Sequence, residues 1–201
     1  MVRAPWQCAV KGPDLEAFLV SLGVVALAEI GDKTQLLALV LAARYRRPVP
    51  IILGILTATL VNHFAAGILG AWLTSLVSPA AMRWILGISF IAMALWTLVP
   101  DSLEGKREDD RPRLGVYGAT AVAFFLLEMG DKTQIATVAL TAKYHSVPLV
   151  VAGTTVGMLL ADVPAVLLGE VAATKLPMRL MQRMAAAVFL VLGVLVLWHR
   201  P

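Results

Sequence analysis

Six long apolar runs, separated by short polar or proline-containing segments, dominate the sequence. They cover residues 15–43, 50–76, 81–99, 114–142, 148–172 and 179–198. A helix needs about 20 apolar residues to cross the hydrocarbon core of a bilayer, and each run is long enough. Hydrophobic residues make up 59% of the chain and charged residues 15%, whereas soluble domains have roughly 45–50% and about 25%. We therefore predict an all-α polytopic protein with six transmembrane helices, forming a single membrane domain over residues 1–201 in the lipid bilayer.

The basic residues lie mainly between the apolar runs and form no nucleic-acid-binding motif, so the net charge of +4 does not indicate a nucleic acid partner. Ten Lys and Arg residues flank the first, third and fifth breaks, and five lie in the termini and the other two breaks. The positive-inside rule then predicts both termini outside and residues 100–113 in the cytoplasm. The single cysteine, Cys8, excludes an internal disulfide and a cysteine-based metal site.

The two halves of the chain repeat one another. A shift of 99 residues matches these pairs without a gap: Glu29/Glu128, Asp32/Asp131, Gln35/Gln134, Tyr45/Tyr144, Gly54/Gly153 and Gly70/Gly169. We predict one three-helix repeat at residues 15–99, a linker at 100–113 and a second repeat at 114–198. Because each repeat has an odd number of spans, the second must be inverted relative to the first. Secondary transporters are built in this way, with the binding site near the bilayer midplane.

The most conspicuous part of the repeat is a charged heptapeptide, EIGDKTQ at residues 29–35 and EMGDKTQ at 128–134. The apolar stretches on either side of each copy are too short to cross the bilayer alone. Each motif must therefore lie at membrane depth, in a helix or at a helix break beside Gly31 or Gly130. Each Glu, Asp or Lys there costs roughly 2.5–3.5 kcal/mol on insertion scales. Such residues face a bundle interior or a wet cavity.

In a continuous helix, Glu29, Asp32 and Lys33 would share one face, and Lys33 would neutralise the two carboxylates when nothing else is bound. Gln35 would extend this polar stripe by one turn. The same geometry applies to the second copy, which consists of Glu128, Asp131, Lys132 and Gln134. A buried salt bridge that only locks helix packing is the alternative to a binding site.

Pseudo-symmetry would bring two carboxylates from each repeat together, with a formal charge of −4 offset by two lysines. Oxygen ligands without thiolates suit hard divalent ions such as Ca²⁺, Mg²⁺ or Mn²⁺. Burial and like-charge crowding also favour the protonated form of a carboxylate. The same groups can therefore take up protons when the cation leaves.

Helices 2 and 5 add three further candidates. Asp162 lies in mid-span. It is either a ligand or proton carrier, or a hydrogen-bonding group that organises the kink expected at Pro164. His63 is either a ligand that would favour Mn²⁺ over Ca²⁺ or, as we prefer, a core histidine bonded to a neighbour. Asn62 precedes His63 and aligns with Ala161 in the repeat.

The paired motifs resemble the E-x-G-D-[KR]-[TS] signature of the cation-exchanger family that contains Golgi transmembrane protein 165 and bacterial manganese exporters. That family is grouped with the lysine-exporter superfamily. The resemblance extends from about residue 15 to 198, and PAVLLG at 164–169 also resembles the family's fifth helix. It implies export of Mn²⁺, with Ca²⁺ as second candidate, in exchange for protons across a bacterial inner membrane. It implies no enzyme activity and no cofactor besides the transported ion.

Carried over residue by residue, the resemblance assigns ion handling to eight positions. They are Glu29, Asp32, Lys33, Thr34, Glu128, Asp131, Lys132 and Thr133. Two other functions remain open at this point. The carboxylates of a lysine-exporter-type protein would bind a basic amino acid or another organic cation, and two aspartates on different helices can form an intramembrane aspartyl protease. The accompanying Glu and Lys favour a cation path over the protease. A homodimer is also left open.

Overall fold

The computed structural model describes residues 12–99, 114–168 and 178–198. Within these ranges the chain is all-helical, as predicted, and contains no strand. The eight helices of the described residues are α1 (Gly12–Glu29), α2 (Lys33–Tyr45), α3 (Pro48–Leu76), α4 (Pro79–Thr97), α5 (Gly115–Glu128), α6 (Lys132–Tyr144), α7 (Val147–Leu168) and α8 (Met178–Trp198). The predicted linker at 100–113, both chain termini and Cys8 lie outside the described residues.

Three helices, α3, α4 and α7, are long and apolar enough to cross a membrane. The longest of them, α3, carries its polar mid-helix residues on its buried face, beside apolar ones, and apolar residues on its exposed face. Thr59, Asn62 and His63 are buried, whereas Leu60 and Phe64 are exposed. This distribution is the reverse of that on a soluble helix and is typical of a helix that faces lipid on one side. The described residues therefore form a helical membrane protein.

The first apolar run does not form one continuous helix. It breaks between α1 and α2 at Gly31, whose φ of 86° lies in the left-handed region that favours glycine. Asp32 follows in extended geometry and caps α2. The break between α5 and α6 is nearly identical, with Gly130 at φ 76° and Asp131 as the cap. The motifs thus lie at helix breaks, and the arrangement on one face of a continuous helix does not occur.

The two halves of the chain pack into each other through a pair of equivalent glycines. A Cβ at Gly54 of α3 would lie 2.8 Å from the Thr120 side chain of α5. A Cβ at Gly153 of α7 would lie 3.0 Å from the Ser21 side chain of α1. The 99-residue shift converts one contact into the other. Each half therefore offers its small-residue helix to the first helix of the other half.

The close α1–α7 contact predicts that Gly157→Ala destabilises the fold. The new Cβ would lie 2.6 Å from the Leu22 carbonyl oxygen and 3.0 Å from the Ala26 backbone nitrogen. Because backbone atoms cannot rotate away, we expect the free energy of unfolding to fall by about 1–3 kcal/mol. Thermal unfolding in detergent measures this loss.

Gly23→Ala on α1 is the matched control, because nothing lies within 4 Å of a Cβ built there. The control should leave stability unchanged or raise it by up to about 1 kcal/mol through helix propensity. Equal melting temperatures for the two variants would contradict the proposed tight contact.

Candidate cation-binding site between the two motifs

Three carboxylates from the two motifs converge in the interior. Oxygen atoms of Glu29, Asp32 and Asp131 all lie within 4.8 Å of one another. All three side chains are buried, with at most 1% of their surface exposed. Oxygen ligands stand about 2.0–2.6 Å from a hard divalent cation, so oxygens this close can share one ion. The cluster takes Glu29 and Asp32 from the first copy and Asp131 from the second.

Each motif lysine pairs with the aspartate of the opposite motif. Lys33 Nζ lies 2.8 Å from Asp131 Oδ1, and Lys132 Nζ forms an ion pair with Asp32 Oδ1. These two ion pairs therefore run across the motifs. The helix break removes the helical spacing that would have placed Glu29 and Lys33 on one face.

The motif glutamines hold the breaks in shape. Gln35 Oε1 accepts a hydrogen bond from Gly31 N at 2.9 Å, and Gln134 Oε1 accepts one from Gly130 N at 2.7 Å. Gln35 also donates from Nε2 to the Ala161 carbonyl oxygen at 3.0 Å, which ties the first break to α7. Backbone N–H groups at membrane depth need such partners. The glutamines therefore position the carboxylates.

Glu128 lies outside the group of three carboxylates and is held by α3. It accepts hydrogen bonds from Thr59 Oγ1 at 3.0 Å and from Asn62 Nδ2 at 3.3 Å. Thr59 was missed from the sequence, although its position one turn before Asn62 on the same helix face was a usable signal. Thr133, another predicted site residue, is fully buried, and its hydroxyl has no hydrogen-bond partner within the described ranges.

Glu29 is held differently from its counterpart. Thr34 of the same motif donates a hydrogen bond to Glu29 Oε2, and Oε1 has no hydrogen-bond partner in the described part of the chain. The residues that match Thr59 and Asn62 in the second half are Met158 and Ala161, whose side chains cannot donate. The two motifs are therefore alike in backbone and unlike in the surroundings of their glutamates.

The candidates on α3 and α7 are both fully buried. Asp162 is close enough to Asp32 and Glu128 to interact with them electrostatically, but it does not belong to the group of three converging carboxylates. Neither of its oxygens has a hydrogen-bond partner among the described residues, and Pro164 lies inside α7. His63 has the expected core position, but neither ring nitrogen has a partner in residues 12–99, 114–168 or 178–198.

The buried ion pair predicts that Lys132→Met destabilises the protein more than Lys33→Met. Lys132 is 2% exposed and Lys33 is 22% exposed, so water can reach the space that Lys33 vacates beside Asp131 more easily than the space that Lys132 vacates beside Asp32. Leaving Asp32 buried without this lysine should lower the free energy of unfolding by about 3–5 kcal/mol. Unfolding in a denaturing detergent measures both values, and equal losses would contradict the difference in burial.

Comparison with known proteins identifies the family. A family model described as "Divalent cation/proton antiporter GDT1" matches residues 17–105 and 116–201, which include both motifs. A Vibrio cholerae protein named "Putative manganese exporter" is 48% identical over 180 residues, covering 89% of each chain. GDT1-like protein 5 of Arabidopsis thaliana is 28% identical over 221 residues, covering 91% of this chain and 96% of its own. No solved structure matches. The chain belongs to the GDT1 family of divalent cation/proton antiporters.

Proposed function

We propose that this antiporter exports Mn²⁺ from a bacterial cell in exchange for protons and binds the ion between its two motifs. The observation that carries the proposal is the convergence of Glu29, Asp32 and Asp131 to within 4.8 Å. Carboxylate oxygens suit Mn²⁺ and Ca²⁺, and they do not suit softer metals. The name of the Vibrio cholerae relative supports Mn²⁺, and Ca²⁺ is the second candidate.

The charges of the motifs support an exchange. The four motif carboxylates and two lysines carry a net charge of −2 when all are ionised. One divalent cation neutralises this charge, and two protons on the carboxylates do the same. Because charge buried at membrane depth is costly, the site favours occupation by one or the other. This competition between cation and protons is the basis of coupled exchange.

We further propose six spans in two inverted repeats. In this arrangement α1 and α2 form one broken span, and α5 and α6 form its counterpart. The reciprocal contacts of Gly54 and Gly153 support a pseudo-twofold relation between the halves. Alternating access would then be a rocking of one repeat against the other around the carboxylates. Both termini would lie outside and residues 100–113 in the cytoplasm.

Within this site, the roles of the predicted residues differ. Glu29, Asp32 and Asp131 are the proposed ligands, and Asp162 is a further carboxylate beside them. Lys33 and Lys132 would compete with the cation for the aspartates, while Thr34 and Gln35 keep the first motif in place. Glu128, held by Thr59 and Asn62, would enter the coordination sphere when the repeats exchange conformations.

Proteoliposomes loaded with a Mn²⁺-quenched dye test this function. An acidic lumen should accelerate Mn²⁺ uptake, because outward proton movement drives inward cation movement, and an ionophore that dissipates the pH gradient should remove the acceleration. Ca²⁺ and Mg²⁺, supplied in turn as competitors, rank the substrates. Uptake that ignores the pH gradient would contradict exchange. Competition by lysine equal to that by Ca²⁺ would instead favour the organic-cation exporter.

A further inference from the structure

A cavity separate from the carboxylates lies among the ends of four helices. It has a volume of about 350 Å³ and is bordered by the last turns of α3, α6 and α8 and the first turns of α4. Three basic side chains, those of Arg83, Lys143 and His145, line it, and no acidic residue is among the described lining residues, although Glu16 lies close enough to Lys143 to interact with it electrostatically. Part of its wall is apolar, formed by Met82, Leu86 and Val196 among others. The cavity is therefore both basic and apolar.

Two of the basic groups are held in place by aromatic rings. The Arg83 guanidinium lies over the Trp84 ring, 5.7 Å from its centroid. The Lys143 ammonium lies over the Tyr144 ring at 4.8 Å. Arg83 Nε is buried and has no hydrogen-bond partner within the part of the chain that the structure describes. An arginine N–H that is buried without a protein acceptor can donate to an anionic ligand.

Exposed tryptophans indicate the depth of the cavity in the membrane. Trp72, in the last turns of α3, is 56% exposed, and Trp84, in the second turn of α4, is 54% exposed. Tryptophan is enriched where the hydrocarbon core meets the lipid headgroups. The cavity lies between these two helix ends, so Arg83 and Lys143 are at the depth of lipid phosphates.

We propose that this cavity binds an anionic phospholipid. The lipid phosphate would lie between Arg83 and Lys143. The part of an acyl chain nearest the headgroup would pack against the apolar wall, which includes Met82, Leu86 and Val196. Charge complementarity selects the headgroup, because arginine pairs with phosphate through two parallel hydrogen bonds. The apolar wall selects a lipid over a free anion, which would leave that wall without contacts. This binding is independent of the cation site.

The test measures lipid affinity on the purified full-length protein in phosphatidylcholine nanodiscs. Phosphatidylglycerol is titrated in, and bound lipid is counted by native mass spectrometry. We expect the wild type to bind phosphatidylglycerol in clear preference to phosphatidylcholine. Arg83→Gln should lower that affinity about tenfold, the usual loss for one hydrogen bond to a charged group. Lys143→Gln should act in the same direction and serves as a second variant if Arg83→Gln does not fold.

Arg183→Gln is the matched control. It makes the same change in an exposed arginine of α8. Arg183 lines a smaller cavity between α4 and α8, at the opposite end of these two helices. Equal losses for Arg83→Gln and Arg183→Gln would overturn the proposal, because the effect would then follow overall charge. Equal binding of the two lipids would also overturn it. If millimolar inorganic phosphate displaces phosphatidylglycerol from the wild type, a free anion is the ligand and the lipid assignment is wrong.

Discussion

Manganese flux is expected to fall at least ~100-fold when Asp131 is replaced by asparagine. Asp131 belongs both to the group of three carboxylates and to the ion pair with Lys33. The amide has the shape of the carboxylate but not its charge. A unit charge about 4 Å from another is worth about 4 kcal/mol even at an effective dielectric constant of about 20, so its loss cannot be absorbed by small rearrangements. Proteoliposome uptake measures the change.

Asp14→Asn is the matched control for this prediction, since it makes the same change in the first turn of α1, far along the helix from the motif. Gel filtration should show that both variants remain monodisperse in detergent. The control should transport at the wild-type rate. Wild-type flux in Asp131→Asn would exclude Asp131 from the ion path, whereas a monodisperse but inactive Asp14→Asn would show that the assay does not report on the site.

The second large effect is a difference between the two motif glutamates. Glu29→Gln should lower the affinity for Mn²⁺ at least about tenfold more than Glu128→Gln. Glu29 lies among the converging carboxylates and has one oxygen without a protein hydrogen bond. Both oxygens of Glu128 accept hydrogen bonds from α3, and glutamine can replace one of those acceptors.

Electron paramagnetic resonance of free Mn²⁺ in titrations of purified protein gives both affinities. Each variant is the control for the other, because the chemical change and the place in the motif are the same. Equal losses of Mn²⁺ affinity would mean that Glu29 and Glu128 have equivalent surroundings in solution, which would contradict the structure. A larger loss for Glu128→Gln would reverse the assignment of the two glutamates.

Helix existence was predictable from the sequence, while helix ends were less so. The apolar runs at 50–76 and 81–99 correspond to α3 and α4, which begin two residues earlier, at Pro48 and Pro79. Both prolines lie outside the apolar runs, in the predicted breaks. Proline is favoured in the first turn of a helix, where its missing N–H costs nothing, so a proline before an apolar run marks a start as well as a break.

The burial of the motif carboxylates followed from the lengths of the flanking runs. The crossed pairing of Lys33 and Lys132 did not, because spacing along one copy cannot say which copy a side chain faces. That choice depends on tertiary packing of the two halves. The unequal surroundings of Glu29 and Glu128 depend in the same way on α3 and α7, where Thr59 and Asn62 have the non-donating counterparts Met158 and Ala161.

The most direct test of the central claim is anomalous scattering from crystals grown with Mn²⁺, collected on both sides of the manganese absorption edge. We expect one strong anomalous peak between the two helix breaks, with carboxylate oxygens of Glu29, Asp32 and Asp131 about 2.0–2.6 Å away. A manganese peak that touches one motif only would contradict it. So would a peak elsewhere, with Asp131 still paired to Lys33 and Asp32 to Lys132.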